Sequence, residues 1–169
     1  MAGLFRALAT TIVLVTLYYV VPLDALSGLP AAVMLTAGLL VLVAVTAWQV
    51  RSVLFSAQPA IRAIEGVAAT APLFLLLFAA AYYILAQSHP EYFSVRGLDR
   101  TDTLYFTVTI FATVGFGDIT ATSNLTRLIV TLQMVLDLIV LGLGVRVFLG
   151  AVRLSKDRKA AAGATDRND

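Results

Sequence analysis

The run Thr113-Val114-Gly115-Phe116-Gly117-Asp118 spaces two glycines one residue apart, between a short apolar stretch and a long one. Glycine reaches positive-φ backbone angles that residues with a Cβ resist, so such a run can turn successive carbonyl oxygens to one side. A row of carbonyls can replace the hydration shell of a cation, which is coordination chemistry with no bond made or broken. The Thr113 hydroxyl can add an oxygen at one end of the row. Val114 and Phe116 carry apolar side chains that can pack outward and hold a ring of carbonyls open, while the Asp118 carboxylate attracts cations. An isolated Gly-x-Gly reads most simply as a turn. Six fitting residues in succession, set between apolar spans, read as an ion site.

The elements that must position this run belong to a membrane. The chain has 169 residues, of which 60% are apolar and only 13% charged, against about 25% charged in soluble domains. Its mean hydropathy is +0.91. No cysteine is present, which excludes disulfides, thiolate metal sites and cysteine nucleophiles. The net charge of +2 concentrates its basic excess near the C-terminal end, a pattern of a membrane face; no nucleic-acid partner is expected. Paired carboxylates, a nucleophile with a base and a metal-ligand cluster are all missing from the sequence, so an enzyme is not expected, nor a cofactor.

Four stretches reach the roughly 20 apolar residues a helix needs to cross a bilayer: Leu4 to Val21, Pro30 to Val50, Val67 to Ala86 and Leu125 to Leu149. Leu104 to Ala112 has about half that length and must be buried or re-entrant. Arg6 before the first span and Ala25-Leu26-Ser27 after it also fit a signal peptide, but the apolar run exceeds the usual h-region of about 7–15 residues. Arg6, Arg51, Arg62, Arg153, Lys156, Arg158 and Lys159 mark one side, while the loop Pro22 to Leu29 holds Asp24 and no base. The positive-inside rule then places both termini in the cytoplasm and Gln87 to Leu125 outside. Pro59 to Gly66 reads as a short interfacial helix or, preferred, as a plain connector. The third span is alanine-rich, which permits close helix contact. From Ser155 the charged, alanine-rich tail is expected to be disordered.

The segment Val67 to Gly150 resembles the outer helix, pore helix, selectivity filter and inner helix of bacterial-type tetrameric potassium channels, most specifically at Thr113 to Asp118. The resemblance implies an all-α membrane protein with four transmembrane helices and a re-entrant pore helix, in the cell (plasma) membrane. It divides the chain into two peripheral helices with a linker (1–66), a pore domain (67–154) and a disordered tail (155–169). It implies K+ as the permeant ion, held at Thr113, Val114, Gly115, Phe116 and Gly117, with Asp118 at the outer mouth. One filter per chain then implies a homotetramer. A weakly selective cation channel and a non-conducting scaffold or regulatory subunit are the competing readings. Two departures stand out: Ala112 where the family commonly has a second threonine, and Phe116 where tyrosine is more frequent, both suggesting a less braced filter. Asp99, Thr101 and Asp102 offer caps for a pore helix over Thr103 to Ala112, whose C-terminal end favours a cation.

Neither of the first two spans has the repeated arginines of a voltage sensor, so they read as a peripheral pair that packs around the pore. Asp137 lies in the middle of the fourth span, on one helical stripe with Gln133, Leu141, Gly144 and Phe148, and opposite Arg146. Its carboxylate either faces a water-filled inner cavity, the preferred reading for an intramembrane acid, or is neutral or hydrogen-bonded behind the filter to threonines such as Thr107 or Thr109. Gly142 and Gly144 read as a gating hinge or as packing glycines, and Phe148 as part of a gate. His89, before Pro90, reads as solvated, with an extracellular pH sensor as the alternative.

Overall fold

The computed structural model describes residues 2–23, 31–54 and 59–165, and among these the chain is helical with no strand. Five α-helices follow in order: α1 Ala2–Val20, α2 Ala31–Leu54, α3 Pro59–Ser88, α4 Arg100–Phe111 and α5 Asn124–Thr165, with a 3-10 turn at Pro90–Tyr92 before α4. Thr70–Ser88 of α3 and Asn124–Arg146 of α5 are long and apolar enough to cross a membrane. The apolar stretches Leu8–Val20 of α1 and Thr36–Val45 of α2 are shorter.

Helix α3 is the hub, packing against α1, α2, α4 and α5. Its i, i+4 stripe Phe74, Phe78, Tyr82 and Ala86 meets Phe93, Leu98, Phe106, Ile110, Ile129 and Val130 in one buried cluster, the geometry expected of one helix face. A second stripe, Leu76, Ala79 and Tyr83, packs with Tyr18 near the end of α1 and with Leu23 just beyond it. Small residues permit this two-sided packing: Ala79, Ala81 and Ala86 are buried. On α2, a Cβ at Gly38 would collide with Leu77, so glycine there permits the close approach of α2 to α3.

Two expectations are corrected. Pro59 to Gly66 is neither a separate interfacial helix nor a connector but the first turns of α3, since Pro suits a helix start and a single glycine costs a helix only about 1 kcal/mol. Ser155 to Thr165, expected to be disordered, continues α5. Alanine, lysine and arginine are strong helix formers, and an existing helix extends without a new nucleation cost. The Ala25-Leu26-Ser27 motif, Asp24, residues 166–169 and the side chains of Arg6, Arg62, Phe148, Arg153, Lys156, Arg158 and Lys159 lie outside the described residues.

Candidate functional site: the glycine run and its supports

Helix α4 delivers the glycine run, and its start is strongly specified. Asp99 caps it, accepting from the Asp102 N–H at 2.8 Å, and the Asp102 carboxylate accepts from the Asp99 N–H at 2.9 Å. This reciprocal box begins the helix at Arg100, three residues before the expected Thr103, because it satisfies two otherwise free donors. Thr101, also offered as a cap, instead lies 3.1 Å from the Tyr19 hydroxyl. Ala112 closes α4.

Beyond Ala112 the backbone alternates in hand. Thr113, Gly115 and Gly117 take φ of 57°, 56° and 79°, whereas Val114 and Phe116 keep negative φ. Alternation of this kind turns neighbouring peptide groups the same way, and Thr113 is the one described non-glycine residue that accepts positive φ, a conformation costing L-residues about 1–2 kcal/mol. Such strain persists where surrounding contacts over-determine it. The N–H groups on the inner side are spent: Thr113 donates to Ile110 O at 2.9 Å, and Val114 and Gly115 donate to Thr109 O at 3.0 and 3.2 Å. Among the described residues no hydrogen bond is accepted by the carbonyls of Thr113 to Gly117. The row therefore presents oxygens whose lone pairs are available to a hydrogen-bond donor or to a coordinated cation. The side chains of Val114 (53% exposed) and Phe116 (69%) are left open by this single chain.

The Asp118 end of the run is braced by contacts that sequence reasoning missed. The Tyr105 hydroxyl of α4 donates to Asp118 Oδ2 at 2.8 Å, and its ring stacks on Phe116 at 6.2 Å between centroids. Phe116 cannot supply a phenolic brace, and Tyr105 supplies one from the neighbouring helix. The hydrogen bond to Asp118 holds the Tyr105 hydroxyl above its ordinary pKa. Beyond Asp118 the chain is pinned to the segment before α4: Phe93 and Ala121 form an antiparallel bridge, and Thr122 N–H donates to Tyr92 O at 2.9 Å. His89, exposed, stacks on Tyr92 and sits 3.4 Å from Glu91.

Behind the run a buried polar tie joins three helices. Gln133 of α5 accepts from the Tyr82 hydroxyl of α3 at 2.8 Å and donates to the Thr107 carbonyl of α4 at 3.3 Å and to Asp137 Oδ2 at 3.4 Å. The cavity placement of Asp137 is thereby corrected: the carboxylate is 3% exposed, covered by its own chain, and turned toward Gln133. Its Oδ1 has no partner among the described residues. The physical reason is the tie itself, since a buried glutamine amide requires acceptors for its protons. The threonines take no direct part through their hydroxyls, because Thr107 Oγ1 donates to Thr103 O and Thr109 Oγ1 to Phe106 O, each at 2.8 Å. Arg146, on the opposite side of α5, is exposed. Gly142 and Gly144 lie inside the unbroken α5 helix, and a Cβ at Gly142 would meet nothing within 4 Å. Packing within the chain thus does not demand that glycine. Phe148 belongs to the same helix by its backbone.

Residues 70–153 match the family model described as an ion channel. Comparison with curated proteins and with solved structures gives no match. The matched segment runs from α3 through α4 and the glycine run into α5, so this half of the chain is similar to an ion-channel domain.

Proposed function

We propose that the chain is a subunit of a potassium-selective channel, conducting K+ passively through a filter made of the Thr113 to Gly117 carbonyls and the Thr113 hydroxyl. The observation that carries this reading is the row of unspent carbonyls behind alternating positive and negative φ, held by N–H bonds to the C-terminal turn of α4. That end of α4 carries partial negative charge, which favours a cation at the inner end of the row. Asp118 stands at the outer mouth. One row cannot surround an ion, and the exposed Val114 and Phe116 side chains call for apolar cover, so four copies assemble around one path. In this arrangement α1, α2, α3 and α5 cross the cell membrane, α4 enters it from outside, and both termini are cytoplasmic. Gly142 and Gly144 supply the flexible point of the inner helix, with Phe148 a turn beyond as part of the gate.

The direct test is ion flux into liposomes holding the purified chain alone. Potassium uptake with sodium excluded supports the proposal. Equal uptake of both ions makes the protein a weakly selective cation channel, and no uptake of either makes it a scaffold or regulatory subunit.

A further inference from the structure

Arg100 stands where helix electrostatics disfavour it. At the first position of α4 a cation meets the positive end of the helix dipole, and the local capping is done by Asp99 and Asp102. Its guanidinium reaches across to α1. Nη1 donates to the carbonyls of Tyr18 and Tyr19 at 2.7 and 2.8 Å, and the group lies 5.2 Å from the centre of the Tyr83 ring. Those carbonyls belong to the last turn of α1 and find no donor in their own helix. Pro22, four residues after Tyr18, has no N–H, and the Leu23 N–H goes to Val21 O instead. The contact is returned from α1. The Tyr18 hydroxyl donates to Arg100 O at 2.8 Å and lies 3.0 Å from Thr103 Oγ1, while the Tyr19 hydroxyl lies 3.1 Å from Thr101 Oγ1. Tyr18 is 6% exposed.

This clasp seizes the outer end of a 12-residue helix whose other end holds the glycine run. A short, fully hydrogen-bonded helix moves as a unit, so the pose set at Arg100 is carried to the Thr109 carbonyl, which accepts from Val114 and Gly115. The rest of α1 presents Phe5, Leu8, Ile12, Val13, Leu17 and Val20 as an exposed apolar surface, suited to lipid. We infer that α1 is a control element for the filter: Tyr18, Tyr19 and Arg100 are positioning residues through which α1 sets the pose of α4 and hence the conducting state of the Thr113 to Gly117 row. The inference rests on the proposed channel function for the conducting state; the link from α1 to the pose of the glycine run stands independently of it.

Two measurements on the purified full chain test it, with Tyr18→Phe, Arg100→Gln and the double variant. Amide hydrogen exchange reads the filter directly. Exchange at Val114 and Gly115 is expected to quicken by about fivefold in each single variant, the factor carried by one net hydrogen bond. In bilayers, the fraction of time spent conducting is expected to shift by a similar factor at unchanged unitary conductance. Because the residues share one clasp, the double variant should exceed the larger single by little. Exchange that quickens only around residues 100–103, with the filter amides unchanged, would overturn the inference; so would full additivity of the two substitutions. If Arg100→Gln fails to assemble, Tyr18→Phe decides alone, since it removes a single oxygen. A wild-type chain that passes no ions sinks the channel proposal, while the exchange measurement still decides whether α1 sets the pose of the glycine run.

Discussion

Gln133 spends every polar atom it has: its carbonyl on Tyr82 and its amide protons on Thr107 O and Asp137. Asp137 acts here as an acceptor, which leads to a prediction opposite to that of a cavity charge. Asp137→Asn keeps a carbonyl for Gln133 and should leave unitary conductance and block by internal multivalent cations unchanged, even at low salt. Asp137→Leu strands a buried amide proton and should lower stability by about 1–3 kcal/mol, read by thermal unfolding in detergent. A fall in conductance with Asp137→Asn would return the carboxylate to the ion path. At the outer end, Tyr105→Phe removes the bond to Asp118 and should shorten the conducting periods. The same support has a pH dependence. The neutral phenol is the donor, and its folded-state pKa is raised by Asp118, so the bond is fully present below the ordinary tyrosine pKa and is lost as pH rises through the raised value. Alkaline solution on the outer side should therefore mimic Tyr105→Phe in wild type and add nothing in the variant. At this scale the glycine run was legible because its chemistry lies in consecutive backbone groups. Tyr105, Gln133 and Arg100 were not, because each works through a partner on another segment, and no local spacing encodes a contact between residues 82 positions apart.

Helix starts and stops were legible where the side chains themselves make the cap. Asp99 and Asp102 announce α4, and the structure moves its start by three residues only because the first of the two is the cap. The ends of α3 and α5 were not legible. Gly66 suggested a stop, yet backbone continuity with a long apolar helix overrides a single glycine. The charged tail suggested disorder, yet it inherits a nucleated helix. The two peripheral helices carry no ladder of arginines: α1 holds Arg6 and α2 holds Arg51. Moving one charge through the membrane field supplies about 2.3 kcal/mol per 100 mV, so with so few charges the open probability should change only shallowly with potential. Steady-state currents across a range of voltages check this, and a slope matching several gating charges per subunit would refute it.

As a single chain the protein leaves apolar surface uncovered. Val114, Phe116 and the α5 residues Leu128, Leu132, Leu138 and Val145 are exposed apolar groups, and in the proposed assembly the carbonyl row closes around an ion when four copies meet. Mass measurement in mild detergent should give four subunits, with a cross-linking ladder that stops at the tetramer; a conducting dimer would contradict this assembly. The most direct test of the central claim is the reversal potential of the purified protein in a planar bilayer, with potassium on one side and an equal concentration of sodium on the other. A filter built from the Thr113 to Gly117 carbonyls predicts a potential displaced far from zero toward the potassium equilibrium value, whereas a potential near zero, with both ions carrying equal current, would contradict it.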